Sequence, residues 1–177
     1  RQDCIFFREP LPNVGGEHVP EDSVRVLVVG AGFGGLSAAA HLRAAGYRSP
    51  DDLLIIEKAG QVGGTWRDNT YPECACDVQS VLYSFSFAPN PDWPRSYSRQ
   101  PEILDYLVRT VRDTGLIDHV RFGCELISAH WDGTHWIAET SSGTIRAQVL
   151  VAATGALSAP RLPDLPGLDS FSGHAFH

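Results

Sequence analysis

The sequence predicts an α/β fold with a parallel β-sheet, and three features support this prediction. Residues 24–29 form a β-branched apolar run that is long enough for one buried strand. A glycine-rich turn follows, and then an alanine-rich segment that ends at Gly46. This segment is typical of a helix, because helices often end at a glycine. A second apolar run at residues 53–56 completes a βαβ unit, whose crossover we expect to be right-handed.

The turn after the first strand carries glycines at G-x-G-x-x-G spacing, namely Gly30, Gly32 and Gly35. Gly30 permits the tight turn, Gly32 lets a pyrophosphate approach the backbone, and Gly35 lets the helix lie close to the strand. Backbone N–H groups and the positive end of the helix dipole then face the phosphates, so the turn itself needs no basic side chain. The spacing predicts a dinucleotide-binding turn.

An acidic residue closes the second strand and strengthens this interpretation. Glu57 follows Gly35 by about 20 residues, which is the spacing of the dinucleotide-binding fingerprint. A carboxylate there accepts hydrogen bonds from ribose hydroxyls and repels a 2′-phosphate, so we expect FAD or NAD rather than NADP at this turn. The alternative is a glycine turn in an ordinary α/β protein, with Glu57 as a solvated strand end.

Composition narrows the class of protein. The 177 residues suit one domain, or a domain and a fragment of another, and 43% of them are hydrophobic. The net charge of −7 argues against a nucleic-acid or anionic-membrane partner. No apolar run approaches the roughly 18 residues of a membrane span. The cysteines form neither a CxxC pair nor a zinc spacing, so we expect reduced thiols, no metal site and a cytoplasmic protein, with a redox-active Cys74–Cys76 pair as the alternative.

The remainder of the chain predicts one more helix and a β-meander. Residues 58–100 are loop-rich and aromatic, and residues 82–87 alternate as a short strand does. A helix capped by Ser98 or Gln100 should end at Gly115. Apolar runs then predict a three-stranded meander followed by a final buried strand that leads into Thr154; the strands are expected at residues 120–122, 125–131, 136–140 and 145–151.

Two groups of side chains have both a functional and a structural interpretation. Trp66, Tyr83, Phe85, Phe87 and Trp93 could line a ligand or pack in the core, and packing is favoured for the last three. His130 and His135 flank a predicted hairpin without a third ligand at metal spacing, which favours structural roles.

Several short motifs together resemble class B flavin monooxygenases, above all their Baeyer–Villiger branch. The motifs are GAGFGGL (30–36), Glu57, GGTW (63–66), YPxxxCD (71–77), ATG (153–155), P-x-L-P (160–163) and F-x-G-x-x-x-H (171–177). Two positions depart from the family pattern, since Glu73 replaces a turn glycine and Ala75 replaces an arginine.

The resemblance implies a set of cofactor contacts. The glycines would cradle the FAD pyrophosphate, Glu57 would hold the adenosine ribose, and the backbone of Leu126 would meet the adenine. Asp77, near the isoalloxazine, would be a catalytic residue, and Tyr83 would hydrogen-bond near the flavin. The implied cofactor-binding residues are Gly30, Gly32, Phe33, Gly34, Gly35, Glu57, Lys58, Gly64, Thr65, Trp66, Asp68, Asp77, Tyr83, Leu126, Ala153, Thr154 and Gly155.

The resemblance also implies an activity and a domain plan. FAD and NADPH would serve the transfer of one oxygen atom from O₂ into a ketone or onto a nitrogen or sulfur atom. The alternatives are another FAD-dependent oxidoreductase of the disulfide-reductase-like fold and a non-catalytic nucleotide-binding module. We expect an arm (1–22), the N-terminal portion of a Rossmann-like FAD-binding domain (23–160) and a linker (161–177) toward a missing NADP-binding domain. We expect this chain alone to bind FAD weakly and to be inactive.

Overall fold

A computed structural model describes residues 22–174, which form one mixed β-sheet with helices. The strands are β1 (Asp22–Val29), β2 (Leu53–Glu57), β3 (Val120–Phe122), β4 (Leu126–Trp131), β5 (Trp136–Thr140) and β6 (Gly143–Ala152). The helices are α1 (Phe33–Ala44), α2 (Thr65–Asp68) and α3 (Gln100–Asp113), with short 3₁₀ turns at Leu116–His119 and Leu168–Ser170. The expected arm, apart from its last residue, and the motif histidine His177 lie outside the described residues.

The sheet has the order β3-β2-β1-β6-β5-β4. The first four strands in that order run parallel, with Val28 paired to Ile55 on one side and to Val151 on the other. β4 and β5 are antiparallel to their neighbours. The predicted α/β fold with a parallel sheet and a β-meander is therefore confirmed. The chain leaves β1 through α1 toward β2 on one side, whereas β6 lies on the other side of β1. The carboxyl end of β1 therefore lies where the order of the strands changes direction, which is the usual ligand position in such sheets.

The make-up of the meander was predicted wrongly in one respect. β3 is not part of it, because β3 pairs in parallel with β2 through Ile55 and Val120. The meander consists of β4, β5 and β6, and β6 is one ten-residue strand that also pairs with β1. Nor is β6 buried throughout, since Val149 is 49% exposed. An apolar run indicates that a segment tends to be buried. Which strands pair with it and which helices cover it depend on the topology of the sheet.

The core divides between the two faces of the sheet because alternate side chains of a strand point to opposite sides. Val26 and Val28 of β1 belong to the cluster that α1 and α3 cover, whereas Leu27 and Val29 belong to the cluster on the other face. Leu27 is fully buried, which stabilises the fold by about 1.5–3 kcal/mol relative to exposure. No helix among residues 22–174 is long and apolar enough to cross a membrane.

The segment 82–87 is not a strand. It runs through turns, and Tyr106 of α3 holds it by accepting a hydrogen bond from the N–H of Phe85 (2.8 Å) and donating one to the carbonyl of Ala88 (2.7 Å). Phe85 packs as the sequence predicted, whereas Phe87 is 36% exposed and stacks on Phe85 at 4.8 Å. The alternating aromatic residues of this segment therefore reflect packing against the core cluster around Tyr106, and not the pairing of a β-strand.

The N-terminus of α3 also differs from the expected one. Arg99 is the N-cap, and its N–H donates to Oε2 of Glu102 at 2.8 Å. Ser98 is buried with its hydroxyl 2.7 Å from that of Ser80, and buried Gln100 donates to the carbonyl of Trp66. Both candidate caps are thus engaged in tertiary contacts, which join the start of α3 to α2 and to the preceding loop.

Candidate functional site

The fold itself requires glycine at two positions of the turn between β1 and α1. Gly30 has φ +102°, and a Cβ built on it would lie 2.5 Å from the carbonyl oxygen of Ala153. A Cβ on Gly35 would overlap the carbonyl oxygen of Gly30. These contacts confirm the tight turn and the close helix–strand approach that the spacing predicts, and they need no ligand to explain them.

The other two glycines of the turn are not needed for packing. A Cβ on Gly32 would meet the Cα of Gly64 at 3.6 Å, and one on Gly34 would meet the Cβ of Ala153 at 3.9 Å, both ordinary contacts. Side chains would fit the protein at these positions, so their absence leaves an open backbone surface. Gly64, in the second glycine-rich segment, has φ +52° and forms the opposite wall.

The N-terminus of α1 points hydrogen-bond donors at this open surface. No side chain in the described part of the chain caps it, and its first turn holds no acid. The N–H of Leu36 closes the first turn on the carbonyl of Gly32 at 3.0 Å. The N–H groups of Phe33, Gly34 and Gly35 precede it and lie too early in α1 to have an acceptor within the helix. Free donors, a positive helix end and missing side chains together suit a phosphate group.

Glu57 lies at the end of β2 beside the turn and is buried, with 5% exposure. Its Oε2 accepts from the N–H of Ala31 at 2.9 Å, and its Oε1 accepts from the N–H of Ala59 at 3.0 Å and from Arg67 at 2.9 Å. The alternative of a solvated strand end is therefore wrong. A carboxylate accepts about four hydrogen bonds, so the described residues leave one position open on Oε2.

Arg67 is a site residue that sequence reasoning missed. Its side chain is only 14% exposed, and it donates to Glu57, to the carbonyl of Gln61 (2.8 Å) and twice to Asp68 (2.7 and 2.9 Å). The hydrogen bonds to Asp68 raise the pKa of Arg67, and the charge of Glu57 adds to the effect. The one signal in the sequence is an arginine next to an acid shortly after the second glycine pair, a pattern with little specificity.

A second group of predicted residues gathers around Trp66, which is 7% exposed. Its indole Nε1 donates to the hydroxyl of Tyr83 at 3.0 Å, and burial raises the pKa of Tyr83, with the charge of nearby Asp77 acting in the same direction. The ring of Phe33 packs edge-on against Tyr83 at 4.8 Å. This contact connects the glycine turn to the aromatic group.

The other predicted residues lie around these two groups. The N–H of Ala153 donates to the carbonyl of Val29 at 2.9 Å, and the N–H of Cys124 donates to the carbonyl of Glu57 at 3.0 Å, which brings the start of β4 near the acid. Half-buried Leu126 begins that strand. Asp68 binds Arg67 through both of its carboxylate oxygens. The remaining predicted residues are exposed, namely Lys58, Thr65, Asp77, Thr154 and Gly155.

The cysteines and histidines in the described part of the chain form neither a disulfide nor a metal-binding cluster. Cys74, Cys76 and Cys124 are buried and free. Across residues 22–174, no group of three or more His, Cys, Asp or Glu side chains could hold a metal ion. His135 instead lies in the hairpin, where its N–H donates to Oδ1 of Asp132 at 2.7 Å.

Comparison with known proteins agrees with this geometry. Residues 28–100 match the family model described as an NAD(P)-binding Rossmann-like domain. A Baeyer–Villiger monooxygenase of Streptomyces coelicolor is 54% identical over 158 residues, which are 88% of this chain and 30% of that protein. Two solved structures superpose well. An oxidized steroid monooxygenase bound to NADP has a TM-score of 0.73 and 39% identity, and the match covers 85% of this chain and 30% of that one. OTEMO in complex with FAD and NADP has a TM-score of 0.75 and 33% identity, and the match covers 87% of this chain and 30% of that one.

Fold and turn together define a Rossmann-like dinucleotide-binding domain. Within that class, the chain is a homologue of the N-terminal portion of Baeyer–Villiger monooxygenases, so the family resemblance of its motifs is confirmed. The chain spans about 30% of the length of the relatives reported above.

Proposed function

We propose that this chain is the FAD-binding portion of an NADPH-dependent flavin monooxygenase. The observation that carries the proposal is the open backbone surface at Gly32 and Gly34, which the packing of the protein does not require. It lies directly at the uncapped, positive end of α1. A pyrophosphate would find main-chain donors and no obstructing side chain there.

We propose that the glycine turn and Glu57 bind the adenosine diphosphate part of FAD, and that the group around Trp66 lies toward the flavin. Gly30, Gly32, Phe33, Gly34 and Gly35 would hold the pyrophosphate through their backbone. The remaining acceptor position of Glu57 would bind the adenosine ribose. The other proposed contacts are those of Leu126 and Lys58 on the adenosine side, of Gly64, Thr65, Trp66, Asp68, Asp77 and Tyr83 toward the flavin, and of Ala153, Thr154 and Gly155 at the strand end.

When bound, FAD would supply the oxygen-transfer chemistry after reduction by NADPH. The task of this chain would be to hold the cofactor and keep its surroundings dry. We propose Asp77 as the catalytic residue, because the family resemblance of its motif implies a position near the flavin and its charge acts on nearby Tyr83. We propose that it orients a cationic side chain contributed by another part of the protein.

The proposed substrates are O₂ and a small ketone, or a compound with an oxidisable nitrogen or sulfur. Among the solved relatives is a cyclohexanone-bound cyclohexanone monooxygenase, 37% identical over 87% of this chain (30% of that one). We propose a cytoplasmic protein with neither a nucleic-acid nor a membrane partner, given its net charge of −7. Residues 161–177 would lead toward an NADP-binding domain.

The proposal is tested on the intact protein that contains these residues. Purified protein should release FAD on heating, and with added FAD it should oxidise NADPH faster when a ketone or thioether is present. Mass spectrometry of the oxygenated product should show whether the ketone or the thioether has gained the oxygen atom. Protein that neither contains nor binds FAD would favour a non-catalytic nucleotide-binding module. FAD-bound protein that reduces disulfides but oxygenates nothing would favour the reductase alternative.

A further inference from the structure

The structure contains one buried ion pair at the site whose basic member belongs to none of the motifs named above. Glu57 and Arg67 are both largely buried, with side-chain exposures of 6% and 14%, and they approach to 2.9 Å. Burial of a charged pair is costly unless its hydrogen bonds are completed. The cost is offset on the arginine side, because Arg67 makes four hydrogen bonds in all: one to Glu57, one to Gln61 and two to Asp68.

We propose that Arg67 is a positioning residue for the ribose-binding carboxylate. Arg67 and the N–H of Ala59 both bind Oε1 of Glu57. Among residues 22–174, Oε2 accepts a hydrogen bond only from the N–H of Ala31, which belongs to the glycine turn. We call these two hydrogen bonds to Oε1 the clamp. The clamp fixes the orientation of the carboxylate, so that the open acceptor position of Oε2 lies on the side of the glycine turn. This inference rests on the proposed binding of FAD.

The clamp also joins the two ends of the proposed site. Arg67 lies on α2 next to Trp66, whose indole holds Tyr83 in the group proposed to face the flavin. Through Glu57 the same helix is tied to the end of β2. A shift of α2 would consequently move the ribose acceptor as well as the aromatic group. Asp68 binds the guanidinium on its outer side through two parallel bonds, a geometry that lysine cannot reproduce.

The test compares ligands with and without ribose hydroxyls in the intact protein. ADP and 2′,3′-dideoxy-ADP compete with FAD, and flavin fluorescence reports the dissociation constants of all three. Since a hydrogen bond to a charged acceptor is strong, we expect the wild-type protein to bind ADP about tenfold more tightly than the dideoxy analogue. Arg67→Lys should weaken FAD binding about fivefold and reduce the preference for ADP to less than about threefold.

Arg109→Lys is the matched control, because Arg109 pairs with Asp105 on the exposed surface of α3. It should leave FAD affinity and the tenfold preference unchanged. Arg67→Met removes the charge as well and should abolish the preference; if it does not fold, the lysine variant decides. An undiminished preference in a folded Arg67→Lys protein would overturn the inference, as would a wild-type protein that binds FAD without any ribose preference. Wild-type protein that binds no FAD would instead overturn the proposed function.

Discussion

Gly32 and Gly64 face each other with no side chain between them. A Cβ on Gly32 would lie 3.6 Å from the Cα of Gly64, and one on Gly64 would lie 3.2 Å from the Cα of Gly32. The two residues belong to different glycine-rich segments, one at the start of α1 and one at the start of α2. Main chain thus lies against main chain here, and no side chain covers the start of α1 from either residue, which suits a ligand that binds through phosphate oxygens.

Substitution of the turn glycines should separate binding from folding. Gly32→Ala fits the protein and should leave the thermal midpoint nearly unchanged, while FAD affinity falls about tenfold or more. Gly35→Ala places its Cβ on the carbonyl oxygen of Gly30 and should destabilise the fold by about 3 kcal/mol. Calorimetry and FAD titration of the two variants check this. Equal FAD affinity in Gly32→Ala and wild type would contradict the placement of the pyrophosphate.

Glu73 should be a source of backbone strain. It is the one non-glycine residue with positive φ (+64°) among residues 22–174, and its exposed ion pair with Arg99 at 2.8 Å offers little compensation. We expect Glu73→Gly to be about 1 kcal/mol more stable than Glu73→Ala, because both lose the ion pair and only glycine relieves the strain. Urea unfolding of both variants measures the difference. A more stable alanine variant would refute this account.

Tyr106→Phe should be costly although it removes a single oxygen atom. The hydroxyl of this 3%-exposed residue satisfies Phe85 N–H and Ala88 C=O, so its loss should destabilise the protein by about 2 kcal/mol. Tyr47→Phe is the control, because the hydroxyl of Tyr47 has no protein partner in the described part of the chain and its ring contact with Arg25 survives. Chemical denaturation should show a change below about 0.5 kcal/mol for the control. Equal losses in the two variants would be inconsistent with the bridging role.

Asp132 should make stability depend on acid pH. The N–H groups of His135 and Thr134 and the hydroxyl of Thr134 lower the pKa of Asp132 to about 2. Because this lies below the unfolded value, the stabilising contribution is present above about pH 4 and is lost as the pH falls toward 2. Asp132→Asn should therefore be less stable than wild type at pH 6, and the difference should shrink toward pH 2. Denaturation over this pH range, with Asp105→Asn as control, tests it; a constant difference would argue against the assignment.

The sequence predicted the βαβ unit well because each local signal agreed with the others. The apolar runs, the glycine spacing and the acid after β2 all act within one connected stretch. The partner of β3 could not be predicted in the same way. Val120 pairs with Ile55, far away along the chain, and short apolar runs carry no record of which strand lies beside them.

The site was predictable where the chemistry requires a residue type at a fixed spacing. Glu57 and the turn glycines satisfy that condition. Arg67 does not, since its importance comes from burial against Glu57, and a pattern of charged residues in a loop gives no indication of burial. Gln100 was predicted as a possible cap for a related reason: a polar residue before Pro101 favours a helix start, whereas its contact with Trp66 arises only in the folded chain.

β6 belongs to two parts of the sheet at once. Ile145 and Ala147 pair with β1 through one edge and with β5 through the other. The meander consequently cannot detach as an independent unit, because releasing β6 from β5 exposes the same strand that supports the centre of the sheet. Amide hydrogen exchange in β1 and β5 should proceed with similar opening free energies, as in a single cooperative unit.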